Sequence, residues 1–274
     1  MAKLSQIGGS DAGDKPPRGV YILPNLFTTA SLFAAFYSII QATIGNFENA
    51  SIAIIVAAIL DTLDGRVARL TNTASDFGKE YDSLVDLISF GLAPALIMFE
   101  WGLGAIGKSG WLVAFLYVAT TALRLARFNT QASLSKRYFQ GLPCPAAAVL
   151  LAAGIWTADA YGLSGGVYQG LAVTVMVLLS FAMVSSVPYR SFKDFDLKHR
   201  VPFVFILGVV MVFVLISFDP PVVLMTAFLA FALSGPVNWI LLRRQGVSPF
   251  NPAAASPDTL NDAKFGDRVS EPSD

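Results

Sequence analysis

The chain has 274 residues, of which 54 % are hydrophobic and only 14 % are charged, and its mean hydropathy is +0.59. This composition excludes a single soluble domain and indicates a protein that crosses a membrane several times. The formal net charge is zero and there is one cysteine, Cys144, so charge gives no reason to expect a nucleic-acid partner and an internal disulfide is excluded.

Apolar stretches separated by polar loops predict an all-α integral membrane protein with about eight transmembrane helices. Residues 1–20 are polar, rich in Gly and Pro and without the apolar core of a signal peptide, so we expect a disordered cytoplasmic arm. Residues 245–274 are expected to form a disordered cytoplasmic tail, which leaves 21–244 as the transmembrane domain. The predicted helices cover about residues 26–44, 50–70, 81–101, 111–125, 146–158, 171–187, 201–218 and 222–242.

The distribution of basic residues predicts the orientation of these helices. If both termini lie on one side, only Lys108 of the 19 lysines and arginines falls on the other side. Cytoplasmic loops of membrane proteins carry such an excess of positive charge. We therefore expect both termini, and the loop between the second and third helices, at the cytoplasmic face of a bacterial-type inner membrane.

Four aspartates flank that loop. Asp61 and Asp64 are three residues apart near the end of the second helix, and Asp82 and Asp86 are four apart near the start of the third, so each pair projects from one face. Carboxylates next to hydrocarbon normally mark a functional site and need a charge partner. A ligand set of oxygens, without His or Cys, favours a hard divalent cation such as Mg²⁺ or Mn²⁺, which usually holds phosphate oxygens as well.

Small residues beside the aspartates would let a ligand approach the backbone. Gly65 and Ala68 lie on the helix of the first aspartate pair and leave such room. Gly78 is expected to turn the chain between the two helices.

The spacing of these residues, D-x2-D-G-x2-A-R-x8-G-x3-D-x3-D, resembles the signature of the CDP-alcohol phosphotransferase family, and no position departs from it. The resemblance implies the fold of that family, a homodimer, and a reaction in which an alcohol hydroxyl attacks the β-phosphate of a CDP-lipid and expels CMP. It also implies that the four aspartates hold two divalent ions and that Asp86 accepts the hydroxyl proton. The signature residues are Asp61, Asp64, Gly65, Ala68, Arg69, Gly78, Asp82 and Asp86.

Further residues match the CDP-lipid site of the family. From the sequence alone, Asn25 and Thr28 share one face at the start of the first helix, where they could bind a headgroup or nucleotide, or only satisfy the helix start. The resemblance favours binding of the CDP moiety. The positions carried over to this site are Asn25, Thr28, Gly65, Arg69, Ser75 and Gly78.

Arg124 and Arg127 share one face at the cytoplasmic end of the fourth helix, with Asn129 just beyond. The two arginines could be an anchor pair that reaches the membrane interface, or a guanidinium fork that recognises a carboxylate or phosphate. The stretches ARFN and GLPCPAA, at residues 126–129 and 141–147, resemble the phosphatidylserine synthase branch of the family. That resemblance implies CDP-diacylglycerol and serine as substrates.

Two other functions stay open at this point. The first keeps the reaction and changes the acceptor to glycerol phosphate, inositol phosphate or choline. The second is a cation transporter that uses the aspartates as an ion path. Transport predicts acids throughout the depth of the bilayer, whereas Glu48, Glu100, Asp159 and Asp219 fall at the opposite helix ends.

Overall fold

A computed structural model describes residues 22–71, 75–130, 138–190 and 203–244. The terminal arm and tail expected at 1–20 and 245–274 lie outside these described residues. The α-helices in the described ranges are α1 (Ile22–Thr43), α2 (Phe47–Leu70), α3 (Asp76–Asp86), α4 (Ala93–Trp101), α5 (Lys108–Thr130), α6 (Cys144–Ala160), α7 (Gln169–Val184), α8 (Phe203–Phe218) and α9 (Pro220–Arg244).

Shorter elements connect some of these helices. A π-helical segment, Leu87–Leu92, joins α3 to α4 without a break, and a 3₁₀ turn, Leu103–Ile106, leads into α5. Two strands, β1 (Tyr138–Gln140) and β2 (Pro188–Arg190), pair antiparallel and tie the chain after α5 to the chain after α7. This strand pair is a small exception to the all-α prediction.

Helices occur at all the predicted apolar stretches, but not every one has the length and composition of a membrane span. Among the described residues, four helices are long and apolar enough to cross a bilayer. They are Pro24–Thr43, Asp76–Trp101, Lys108–Thr130 and Pro220–Leu241. The apolar helices α6 and α7 have 17 and 16 residues and are shorter than a typical span. The structure is therefore that of a helical membrane protein with four candidate spans in its described part.

Small residues let α1 and α2 pack closely. The Ser38 hydroxyl donates to the Ala50 carbonyl at 2.6 Å, and the Ser31 hydroxyl donates to the Ala57 carbonyl at 3.1 Å. Small side chains that hydrogen-bond across a helix pair are typical of membrane interiors, where burial from water supplies no driving force. The tight packing holds the first aspartate pair at a fixed position beside the start of α1.

Alanine-rich α6 lies at the centre of the bundle. Most of its side chains are buried, and it packs against α2, α4 and α9, while α5 packs against α7. Its N-terminus carries Cys144, which is fully buried as a small side chain between two prolines. This arrangement brings the start of α6 to the same end of the bundle as the aspartates.

The helix of the second aspartate pair begins earlier than predicted. It starts at Asp76 instead of near Tyr81, because the Ser75 side chain caps it and accepts a hydrogen bond from the Gly78 amide at 3.0 Å. The expectation that Gly78 turns the chain was wrong, since it lies in the first turn of α3. A Cβ at that position would lie 3.1 Å from Ser75 Oγ and 3.4 Å from Asn25 Oδ1, so glycine permits close contact with α1.

Candidate active site

The two aspartate pairs converge between α2 and α3. One carboxylate oxygen each from Asp61, Asp64 and Asp82 lies within 4.8 Å of the others. Asp86, one turn after Asp82, lies within hydrogen-bonding reach of Asp61. The i, i+3 and i, i+4 spacings produce this convergence, because each pair occupies one face and the two faces meet.

This acidic cluster could hold a metal ion. The charges that act on Asp82 and Asp86 are those of the other aspartates, so the carboxylates repel one another unless a cation lies among them. Carboxylate oxygens from two helices are the ligands that hard divalent cations prefer. The donor set and its geometry therefore fit the metal that the sequence predicts.

Thr28 holds one member of the cluster in place. Its hydroxyl donates to Asp64 Oδ2 at 2.8 Å and also lies 3.1 Å from the Pro24 carbonyl. Thr28 and Asp64 are 4 % and 5 % exposed, so this bond is shielded from solvent. Helix α1 thus contributes to the orientation of a carboxylate on α2, and Thr28 is more than a residue that completes a helix start.

A cavity of about 180 Å³ adjoins the cluster. The Cβ that Gly65 lacks would meet only the Arg69 guanidinium, at 3.9 Å, so the backbone of α2 is accessible here. Arg69 itself is exposed and lies beside the cavity. The cavity is lined by Pro24, Asn25, Thr28, Asp64, Gly65, Ala68, Ser75, Gly78, Lys79 and Asp82.

Most residues predicted for the CDP-lipid site thus lie around one cavity. Lys79 was not among them, although its cationic side chain suits a phosphate ligand. The only sequence signal for Lys79 was its position directly after the second glycine of the signature.

The π-helical segment follows the cluster directly. It begins one residue after Asp86, and Ser89, Phe90 and Gly91 in it are buried. A Cβ on Gly91 would lie 3.1 Å from the Thr121 methyl group, so the segment packs closely against α5. Single π-helical turns inside α-helices are frequent at functional sites. Nothing in the sequence indicated this segment.

The last turns of α5 carry three further residues predicted to bind a ligand, and their contacts differ. They are Arg124, Arg127 and Asn129. Arg124 Nη1 donates to Cys144 Sγ at 3.4 Å. The Arg127 guanidinium donates to the Val184 carbonyl at 3.3 Å and to the Gln140 side chain. Asn129 Nδ2 donates to Ser83 Oγ at 2.9 Å and so ties the end of α5 to α3.

Comparisons with known proteins agree with the predicted family. Residues 21–186 match the family model described as CDP-alcohol phosphatidyltransferase. The CDP-diacylglycerol--serine O-phosphatidyltransferase of Helicobacter pylori is 39 % identical over 229 residues, which cover 83 % of this chain and 94 % of that protein. The protein of the same name from Mycobacterium leprae is 42 % identical over 135 residues, or 47 % of this chain and 44 % of that one.

An archaeal relative matches as well. The archaetidylserine synthase of Methanothermobacter thermautotrophicus is 35 % identical over 178 residues, or 64 % of this chain and 72 % of that protein. The matched region contains both aspartate pairs and the helices that position them. This chain belongs to the CDP-alcohol phosphatidyltransferase family.

Proposed function

We propose that this protein transfers the phosphatidyl group of CDP-diacylglycerol to the hydroxyl of L-serine, giving phosphatidylserine and CMP. The observation that carries the proposal is the convergence of Asp61, Asp64 and Asp82 beside a cavity lined by α1, α2 and α3. Serine as the acceptor is supported by the relative that is 39 % identical over 83 % of this chain and is named for that reaction.

The cavity suits the CDP moiety of the donor. Asn25 and Ser75 offer polar side chains, Gly65 leaves the backbone open, and Lys79 and Arg69 supply positive charge near the phosphates. Gly78 lets α1 and α3 approach, and Thr28 fixes Asp64. The acyl chains of the lipid stay in the bilayer while the nucleotide enters from the cytoplasm.

Asp61, Asp64, Asp82 and Asp86 would hold Mg²⁺ or Mn²⁺, with two ions as the proposed number. When bound, the metal neutralises the pyrophosphate and stabilises the negative charge that develops on the leaving CMP. The fit rests on the converging, oxygen-only donor set.

Asp86 would accept the proton of the attacking hydroxyl. Its position one turn after Asp82, within reach of Asp61, places it at the edge of the cluster near Cys144, at the start of α6. The serine oxygen forms a bond to the β-phosphorus as the bond from that phosphorus to the CMP oxygen breaks, and the serine proton passes to the carboxylate.

The cellular setting completes the proposal. We expect about eight spans from the apolar stretches of the sequence, with both termini in the cytoplasm and the active site at the cytoplasmic face of an inner membrane. The bias of the basic residues supports this orientation. A homodimer is expected from the family. Transport is disfavoured, because the aspartates gather at one end of the bundle and the chain belongs to a transferase family.

The test is CMP release by the purified protein in detergent. CDP-diacylglycerol and Mg²⁺ or Mn²⁺ would be combined with serine, glycerol phosphate, inositol phosphate or choline in turn, and Asp86→Asn would be the control. Metal-dependent release with serine, absent in the variant, supports the proposal. Release with a different acceptor keeps the family chemistry and rejects serine, and no release with any acceptor rejects the transferase.

A further inference from the structure

A cavity separate from the candidate active site lies toward the opposite end of the bundle. Its volume is about 460 Å³, and its lining comes mainly from α4, α6, α7 and α9. Cys144, at the start of α6, lies near Asp86 of the acidic cluster. Gly154 and Ala158, which line the cavity, lie roughly 15 and 21 Å further along the same helix. The cavity and the acidic cluster are therefore two different sites.

Loose packing between three helices creates this cavity. Helix α6 packs against α9, whereas α7 packs against α5 and makes only marginal contact with α6 and α9. Small residues widen the gap that results. A Cβ on Gly154 would contact nothing on a neighbouring helix within 4 Å, and Ala158 and Ala172 line the same space. The protein thus leaves room here that its own side chains do not fill.

The wall of the cavity offers few hydrogen bonds to water. Among the described residues that line it, only Trp101, Thr157 and Tyr168 have polar groups in their side chains. The Thr157 hydroxyl already donates to the Ala153 carbonyl at 2.7 Å. The other lining side chains are aliphatic. A cavity of this kind stays dry and takes up an apolar ligand.

The cavity opens toward the outside of the bundle. Leu171 on α7 and Leu229 on α9 line it and are 60 % and 44 % exposed. Leu151 and Ile155 on α6 are each 1 % exposed and form its floor. Leu229 belongs to a helix that is long and apolar enough to cross a bilayer. The mouth between α7 and α9 therefore faces hydrocarbon.

We propose that this cavity binds one acyl chain of a membrane phospholipid, from the leaflet opposite the acidic cluster. An alkyl chain fits a gap between helices, whereas a helix of a second protein is about 10–12 Å wide with its side chains. The bound chain supplies the contacts that α7 lacks with α6 and α9. It stabilises the bundle and takes no part in the transfer reaction, because the phosphates of the donor lie at the other end of α6.

The test is the quenching of tryptophan fluorescence by phospholipids with brominated acyl chains, in nanodiscs that contain the full chain. Trp101 lines the cavity, whereas Trp111 on α5 lies outside it and is 49 % exposed. The chain has four tryptophans. Two proteins would be compared, one with Trp101 and one with Trp111 as the sole tryptophan, and the others replaced by phenylalanine.

Gly154→Leu fills the cavity, and the matched control Gly170→Leu adds the same side chain at an exposed position of α7 outside it. Gly154→Leu should lower the quenching of Trp101 at least about twofold, because the leucine occupies the space that the alkyl chain needs. The quenching of Trp111 and KM for CDP-diacylglycerol should not change. Gly170→Leu should leave the quenching of both tryptophans unchanged.

Three results would overturn the proposal. Equal quenching of Trp101 with and without Gly154→Leu would show that no chain enters the cavity, and a higher KM for CDP-diacylglycerol would assign the cavity to a chain of the donor. Unquenched Trp101 before Gly154 is replaced would show that a protein segment, or nothing, fills the space. Ala158→Leu, one turn further along α6, repeats the measurement if Gly154→Leu fails to fold, with the same loss of quenching expected.

Discussion

The two ends of the helix bundle use the same residue types, aspartate and glycine, for different purposes. At the end with the acidic cluster, carboxylates converge on one another, and Gly65 has open space around it. At the opposite end, Asp219 accepts a hydrogen bond from the Tyr161 hydroxyl at 2.7 Å. A Cβ on Gly165 would lie 1.8 Å from the Trp101 carbonyl oxygen.

This contrast shows how to separate functional residues from structural ones in a protein of this kind. Groups that satisfy one another within the protein stabilise the fold. Charged groups that repel one another, and residues that border open space, mark a place where a ligand can bind. Single substitutions matched between the two ends can test the distinction.

The largest difference is expected between Asp82→Asn and Asp219→Asn. Asp82→Asn removes a carboxylate from the cluster and should lower CMP release by at least about 100-fold, because transition-state charge loses its stabilisation. Asp219→Asn should leave the rate within about twofold, since this side chain lies far from the cluster. Rates would be measured across a Mn²⁺ titration. Similar losses in both variants would remove the basis for treating the ends differently.

Asp86→Asn should separate binding from turnover. We expect kcat to fall by roughly 100-fold or more, because the variant cannot accept the acceptor proton. Binding of CDP-diacylglycerol should be weakened less, since Asp61, Asp64 and Asp82 keep their carboxylates. Equilibrium binding of the lipid and single-turnover rates provide the two measurements. Equal losses of binding and turnover would contradict the assigned role of Asp86.

Gly65→Ala and Gly165→Ala should affect different quantities. The new methyl group in Gly65→Ala meets only the Arg69 side chain and projects beside the cavity, so KM for CDP-diacylglycerol should rise by roughly tenfold at an unchanged melting temperature. In Gly165→Ala the methyl group collides with the Trp101 backbone, and the free energy of unfolding should fall by about 1–3 kcal/mol. Thermal unfolding and lipid KM would be measured for both, and a reversed pattern would refute the interpretation of the two glycines.

The smallest effects are expected from the loss of single hydroxyl groups. Thr28→Val removes the buried donor to Asp64 and should cost about 1 kcal/mol, seen as a severalfold higher metal concentration for half-maximal activity. Tyr161→Phe removes a donor to Asp219 at an exposed position, and its effect on activity should be within experimental scatter. A larger effect on activity from Tyr161→Phe than from Thr28→Val would show that solvent exposure does not predict which hydroxyl group activity depends on.

Sequence analysis predicted the parts of the site that depend on local spacing. The aspartate pairs converge because residues three and four apart share a helix face, and the apolar stretches coincide with helices. The resemblance assigned Thr28 to the binding site for the CDP moiety, a role that the spacing of Asn25 and Thr28 alone left open, and in the structure Thr28 lines the cavity and donates to Asp64. The family match confirmed that resemblance.

The features that sequence analysis missed depend on partners distant in the chain. Arg124 and Arg127 share a face, but their contacts differ, because β1 and the end of α7 lie against Arg127 and Cys144 lies against Arg124. The early start of α3 had a local signal in Ser75, which is a good N-cap, but Gly78 three residues later suggested a turn. The π-helical segment depends on packing against α5.

The π-helical segment also has a consequence for how this helix could change during evolution. A π-turn holds one residue more than an α-turn, and one residue advances an α-helix by about 100°. Deletion of one residue from Leu87–Leu92 would allow the continuous helix from α3 to α4 to become a regular α-helix. The deletion would also rotate α3 relative to α4 by about 100°. Either the aspartates would turn from α2, or the buried face of α4 would turn from the core. The extra residue thus sets the rotation of the half-helix that carries Asp82 and Asp86 relative to the half-helix that packs in the core, so insertions and deletions here should be tolerated far less than substitutions.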